Sequence, residues 1–272
     1  MNNDDLVELV KDNEFYLGLK SPRDKRVLKA MRGVDRADFL SEESLSLWAV
    51  NPFAFAAMYR SRKSINRTKH KSYDGLLTDI DAVLKSAKKY QVKIKDLAYN
   101  DLVLPSGYGQ TCSQPSMVGF MADILELENG NKVLEIGSGY GYHAAITSHL
   151  IGNKGLLVTI EYDPRLAKVA KINIANHFGE EELEKRIRII KGDGSIGLKG
   201  GLFDRIYLTA EVNQETFKPE ILARQLKSEG ILLFPEDKGN IIKQTYTKGE
   251  LKSQRIYGDG KIIFVALRGK NC

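Results

Sequence analysis

The sequence predicts an α/β fold whose mostly parallel sheet is wound by helices on both faces, because strand-like and helical patterns alternate after Pro105. The predicted helices are 114–127, 141–151, 164–177 and 216–226. The apolar runs typical of buried strands are 132–137, 156–161, 187–191, 203–209 and 231–235. Turn residues rather than helices separate the last three strand-like runs, 241–247, 251–257 and 261–267, which favours antiparallel strands at the end of the sheet.

The first third of the chain has a different pattern. Helical periodicity predicts a mostly helical region over residues 1–97, followed by a second domain over 98–272. The helical segments are 4–11, 22–32, 42–60 and 75–90. In the second of them, Ser21 is predicted to cap the helix and Pro22 to occupy its first position.

The net charge of +6 is concentrated in one segment. Residues 60–96 hold eleven Lys and Arg against four Asp, so they carry +7 and the rest of the chain −1. Such a stretch attracts polyanions or forms a solvated helical face. Because only Tyr73 and Tyr90 stand among these charges, we favour the solvated face over nucleic-acid binding.

Cysteine content and hydropathy indicate where the protein acts. Cys112 and Cys272 are the only cysteines, too few for a disulfide framework or a zinc site, so we expect no metal. No apolar run approaches the ~20 residues of a membrane helix. The acidic, polar N-terminus is not typical of a secretory signal. We therefore expect a cytoplasmic protein that does not bind membranes.

A glycine-rich turn after the first strand is the main functional signal. Glycines at 137, 139 and 141 allow a sharp turn and close approach of the backbone to a ligand. A nicotinamide dinucleotide fingerprint needs glycine at position 142, where Tyr142 stands. Glu135 ends the strand, and its carboxylate suits a cationic sulfonium better than a pyrophosphate. The pattern predicts S-adenosylmethionine, its methionine end facing Glu135 and Gly137-Ser138-Gly139-Tyr140-Gly141.

Two further acids follow strands that lie beside this turn. Glu161 ends the second strand, where a carboxylate can accept both ribose hydroxyls, and Asp193-Gly194 follows the third, where they can contact adenine. Each feature alone also fits a tight connection or a helix cap. Together they favour a cofactor site in a Rossmann-like methyltransferase sheet.

The stretch 98–145 resembles the protein-L-isoaspartate O-methyltransferase family. The most specific match is Gly109-Gln110-Thr111-Cys112-Ser113-Gln114-Pro115, followed at family-like spacing by Val133–Gly141. Weaker matches are Arg26–Met31, Arg36–Leu40, Gly192-Asp193-Gly194, Gln225-Leu226-Lys227 and Phe264–Leu267.

The resemblance implies methylation of the α-carboxylate of L-isoaspartyl residues in damaged proteins, with S-adenosylhomocysteine as product. It implies that Ser113 is the active-site serine that hydrogen-bonds the substrate carboxylate, and that Thr111 and Cys112 belong to the cofactor-facing loop. It also assigns Thr209 and Ala210 to substrate binding. Ser113 is alternatively a helix cap before Pro115, and His143 and His149 are interpreted as surface or packing residues. Tyr140 and Tyr142 flank the cofactor loop, where Tyr140 either contacts the cofactor or packs.

Two departures from the family keep other functions open. Glu211 stands in a stretch that is usually small and alanine-rich, where it would repel a carboxylate unless it points away. Residues 41–96 form an unusually long basic insertion. The alternatives are a diverged enzyme acting on another carboxylate, a nucleic-acid methyltransferase, and a non-catalytic binding module. The nucleic-acid alternative lacks the Asn/Asp-Pro-Pro-aromatic motif after the fourth strand, and the sequence leaves the oligomeric state undetermined.

Overall fold

A computed structural model describes residues 2–12, 21–41, 98–247, 249–258, 262 and 264–272. Its helices are α1 (Asn3–Asp12), α2 (Lys25–Gly33), α3 (Pro115–Ile124), α4 (Tyr142–Ile151), α5 (Pro164–Phe178), α6 (Glu180–Arg186) and α7 (Glu220–Ala223). Its strands are β1 (Leu104–Gly107), β2 (Gln110–Cys112), β3 (Lys132–Ile136), β4 (Leu156–Glu161), β5 (Ile187–Lys191), β6 (Phe203–Leu208), β7 (Leu226–Glu236), β8 (Asn240–Thr247) and β9 (Glu250–Gly258).

The main sheet has seven strands in the order β5-β4-β3-β6-β7-β8-β9. All neighbours from β5 to β7 are parallel, whereas β8 and β9 add as antiparallel strands. The predicted fold class is therefore confirmed. The strand order reverses between β3 and β6, because the chain adds β4 and β5 on one side of β3 and then β6 and β7 on the other. The carboxyl ends of β3 and β6 therefore flank the crevice where ligands bind in open α/β sheets.

The N-terminal helices α1 and α2 pack against α3 and α4. Leu6, Val10 and Met31 are almost completely buried and join the hydrophobic core formed by α3 and α4. The predicted cap of α2 is wrong: Asp24 accepts a hydrogen bond from the Arg26 amide and the helix starts at Lys25, after Pro22. A carboxylate two residues before an amide is a favourable cap, which explains the later start.

Several other predicted elements differ in extent. The helix predicted at 216–226 is only α7, because Pro219 occupies its N-cap, and the preceding residues form turns. Helix α6 was not predicted; its first turn is acidic and its last turn basic, as the helix dipole favours. Of the strand predicted at 261–267, the described residues form only a parallel bridge between Ala266 and Glu211. The helices predicted at 42–60 and 75–90, and the basic stretch, lie outside the described residues.

A carboxyl group lies in the interior of the sheet. Glu135, in the central strand β3, is completely buried, and its Oε1 accepts a hydrogen bond of 2.7 Å from the Tyr207 hydroxyl. The Tyr207 hydroxyl also lies 3.0 Å from Thr147 Oγ1. Burial raises the pKa of Glu135 to about 7, against the opposing effect of the nearby Thr159 and Tyr207 hydroxyls.

We expect Glu135→Gln to remove one part of the pH dependence of stability. The folded carboxyl keeps its proton up to pH about 7, but the unfolded one loses it near its ordinary pKa of 4.5. The stability of the parent therefore falls, relative to the variant, as pH rises through this window, by up to about 3 kcal/mol. Urea unfolding of both proteins between pH 4.5 and 8 measures the difference, and parallel curves would contradict the shift.

Candidate active site

An open cleft of about 870 Å³, mouth included, lies at the carboxyl ends of β3, β4 and β6. Ten of the predicted site residues line it. They are Thr111, Cys112, Ser113, Gly137, Ser138, Gly139, Glu161, Gly194, Thr209 and Ala210. The apolar part of its wall includes Ile136, Ile160 and Leu166. The cleft thus combines apolar surface with a few convergent polar groups, as small-molecule sites do.

The glycine-rich turn has a backbone that only glycine adopts without strain. Gly137 and Gly139 have φ of 95° and 53°. A Cβ on Gly137 would lie 2.4 Å from Thr209 Oγ1, whereas a Cβ on Gly139 would meet nothing within 4 Å. The first glycine is needed for packing against β6. The second leaves the backbone open to the cleft, which gives a bound molecule room to approach it.

Glu161 connects this turn to the end of β4. Its Oε2 accepts a 2.9 Å hydrogen bond from the Gly139 amide, and its Oε1 accepts one of 3.0 Å from the Asp163 amide. Burial raises the pKa of Glu161, against these amide hydrogen bonds. The Ser138 hydroxyl also donates to Oε2, but at 3.5 Å, so a hydroxyl of a ligand in the cleft can replace this long hydrogen bond while a second one uses the further lone pair of Oε1.

Three predicted site residues do not line the cleft. Glu135 lies behind it in the sheet, and Gly141 caps α4, where a Cβ would lie 2.9 Å from Ile174. Asp193 accepts hydrogen bonds from the Ser195 hydroxyl at 2.6 Å and from the Lys270 amide at 2.9 Å. Asp193 therefore binds the C-terminal segment. Of Asp193 and Gly194, the two residues predicted to contact adenine, only Gly194 lines the cleft.

Ser113 lies on the opposite wall, between β2 and α3. The N-cap of α3 is Gln114, with no side-chain cap, and the Ser116 amide donates instead to Asp101 at 2.7 Å. The capping alternative for Ser113 is therefore wrong. Within the described ranges, the Ser113 hydroxyl makes no hydrogen bond and lines the cleft, so it is available to a ligand.

Glu211 points away from the cleft. Its backbone pairs with the segment 265–267, and its Oε2 accepts a 3.3 Å hydrogen bond from the Phe264 amide. Glu211 is therefore not among the residues that line the cleft. Glu211 instead fixes a segment whose Val265, Ala266, Leu267 and Arg268 form one wall. The Thr209 hydroxyl is also engaged, since it donates to the Gly137 carbonyl at 2.6 Å.

Other lining residues were not predicted from the sequence. Asp163 caps α5, and the Arg165 guanidinium lowers its pKa to about 2. The cap pattern Asp163-Pro164 could have located it beside Glu161. His143, interpreted as a surface or packing residue, and Tyr142, predicted to flank the cofactor loop, are buried but also line the cleft. Burial lowers the pKa of His143 to about 3, so its imidazole is neutral at pH 7.

In the described segments, no cluster of three or more His, Cys, Asp or Glu side chains is arranged to bind a metal ion. Nor do these segments contain a helix with the length and apolar character that a bilayer crossing requires.

Comparisons with known proteins agree with this architecture. A family model described as protein-L-isoaspartate(D-aspartate) O-methyltransferase matches residues 72–272. Protein-L-isoaspartate O-methyltransferase 1 of Archaeoglobus fulgidus is 39% identical over 179 residues, 65% of this chain and 78% of that protein. The enzyme of the same name from Thermosipho melanesiensis is 43% identical over 159 residues, 57% of this chain and 76% of its own.

Solved structures support the fold. A protein-L-isoaspartate O-methyltransferase aligns with a TM-score of 0.66 at 23% identity, over 99% of this chain and 66% of its own. A Plasmodium falciparum protein of the same description, solved with S-adenosyl-L-homocysteine, aligns with a TM-score of 0.66 at 19% identity, over 98% and 99%. Because the family model matches well over half of this chain, the chain belongs to the protein-L-isoaspartate(D-aspartate) O-methyltransferase family.

Proposed function

We propose that this chain transfers the methyl group of S-adenosylmethionine to the α-carboxylate of L-isoaspartyl residues in damaged proteins and peptides. The observation that carries this proposal is the cleft itself. The unengaged hydroxyl of Ser113 shares it with the glycine turn and the Glu161 carboxylate. One side is suited to an adenosyl ligand and the other to a carboxylate.

The residues of the glycine turn and its neighbours suit this cofactor. Glu161 would accept from the ribose hydroxyls, while Gly139 leaves space for close approach of the ligand. Gly194, Ile160 and Leu166 would pack around the adenine, next to Asp163. The bound cofactor supplies an electrophilic methyl group on a sulfonium. We propose that Thr111 and Cys112 cover the cofactor side of the loop before Ser113.

The reaction requires little acid–base catalysis from the protein. A carboxylate with a pKa near ~4 is already ionised at pH 7, so it needs no general base. His143 would be a poor base, because its pKa of about 3 is far from neutral. It also makes no hydrogen bond to Ser113 in the described structure. The task of the site is to align the carboxylate oxygen with the methyl group and to exclude water.

We further propose that the protein acts in a reducing cytoplasm. Both cysteines are free thiols, Cys112 buried and Cys272 exposed.

The function is tested by methyl transfer to an isoaspartyl peptide and to its normal aspartyl twin, scored as base-labile methyl ester. We expect ester only with the isoaspartyl peptide. Ser113→Ala should lower kcat/KM about 10-fold, because one hydrogen bond to a charged group is lost. Ser113→Thr, which keeps the hydroxyl, is the matched control. Equal transfer to both peptides, or to neither, would refute the proposed substrate.

Glu211 provides a second test of how the site is built. Because its carboxylate accepts from the Phe264 amide, we expect Glu211→Gln, which keeps an acceptor oxygen, to change the KM for the isoaspartyl peptide less than about threefold. If Glu211 instead faced the substrate, removal of its charge would lower that KM about 10-fold or more. Initial rates at saturating cofactor distinguish the two outcomes.

A further inference from the structure

A buried arginine lies directly behind the loop that carries Ser113. Arg36 is completely buried and comes from the short 3-10 helix Arg36–Phe39 of the N-terminal region. Its Nη1 donates to the carbonyls of Ala98 and Asn100 at 3.2 and 2.8 Å, and its Nη2 to those of Leu102 and Ser113 at 2.7 and 3.1 Å. One guanidinium thus joins four points of the segment 98–113.

The partners of Arg36 are unusual for a buried cation. In the part of the chain that the structure describes, its guanidinium forms no salt bridge with a carboxylate. The four carbonyl dipoles and the face of the Tyr142 ring, 5.9 Å from the guanidinium carbon, compensate its charge instead. Burying a charge is costly without such partners, so this arrangement commits the four carbonyls to one geometry.

We propose that Arg36 is a positioning residue that orients Ser113 towards the substrate carboxylate, an inference that rests on the proposed function. The Ser113 carbonyl points into the protein because Arg36 binds it, which leaves the hydroxyl as the polar group of Ser113 at the cleft.

The electrostatics of the substrate support this role. A carbonyl oxygen facing the cleft would repel a carboxylate, whereas a hydroxyl can donate to it. Arg36 binds four carbonyl oxygens of the segment 98–113 in the protein interior, away from the open cleft. A lysine could not replace it, since an ammonium is a point charge without the planar fork that reaches four acceptors.

A second anchor holds the other side of Ser113. Asp101 accepts from the Ser116 amide and from Gln114 Nε2 at 2.7 and 3.0 Å. The Arg36 helix is itself fixed, because Asp35 caps it through the Ala37 amide and accepts from the Tyr99 hydroxyl at 3.1 Å. In the ranges that the structure describes, the N-terminal region therefore supports one wall of the site from behind, without lining the cleft itself.

The test compares Arg36→Lys with Asn3→Ala. Asn3 anchors the same N-terminal region, through the carbonyls of Met31, Arg32 and Val34, but does not contact the segment 98–113. If the lysine variant does not fold, Arg36→Gln, which retains two amide donors, takes its place. Amide hydrogen exchange, affinity for S-adenosylhomocysteine, and kinetics with the isoaspartyl peptide are measured for each variant.

We expect Arg36→Lys to lower kcat/KM about 5-fold, and no more than Ser113→Ala does, to leave affinity for S-adenosylhomocysteine within about threefold, and to reduce exchange protection over 98–116. Asn3→Ala should do none of these. In a Ser113→Ala background the Arg36 substitution should add little, because both changes act through one hydroxyl.

Independent, multiplicative effects of Arg36→Lys and Ser113→Ala would overturn the proposal, and so would unchanged exchange protection of the loop. A parent protein that methylates no isoaspartyl peptide would refute the proposed function instead. In that case the exchange measurement alone decides whether Arg36 orders the loop.

Discussion

The hydrogen bond from the Gly139 amide to the Glu161 carboxylate is the contact on which the site depends. It joins the turn after β3 to the end of β4, so two adjacent strands present one continuous edge. The turn reaches this position only because Gly137 and Gly139 have positive φ. The same carboxylate holds the Asp163 amide, which starts the next helix. Sheet, turn and helix are therefore fixed around the face where the cofactor would bind.

The opposite side of the cleft is assembled from segments far apart in sequence. Ser113 comes from the loop before α3, and its orientation depends on Arg36 near the N-terminus. The last wall is the segment 264–268, held by Glu211 and by the hydrogen bond from the Lys270 amide to Asp193. The wall that we propose for the substrate thus depends on long-range contacts, whereas the side that we propose for the cofactor is built from consecutive βα units.

This difference explains what the sequence could predict. The parallel sheet, the glycine turn and Glu161 follow from local patterns, and the structure brings ten predicted residues together. The orientation of Glu211 and the structural role of Asp193 depend on the path of the C-terminal segment, which no local pattern encodes. That segment was predicted as a strand, but among its described residues, 262 and 264–267, the pairing is one bridge from Ala266 to Glu211. The contacts of Arg36 could not be predicted for the same reason, because they depend on where residues 98–113 lie in the folded chain.

We propose that Glu161 accepts hydrogen bonds from the ribose hydroxyls of an adenosyl cofactor. Calorimetric titration of S-adenosylhomocysteine at pH 8, into the parent and into Glu161→Gln, tests it most directly. Glu184→Gln, an exposed acid on α6, is the matched control. We expect Glu161→Gln to weaken binding about 10- to 100-fold, because hydrogen bonds to a charged acceptor are lost, and Glu184→Gln to bind like the parent. If a folded Glu161→Gln variant bound S-adenosylhomocysteine as tightly as the parent does, Glu161 would not be the acceptor of the ribose hydroxyls.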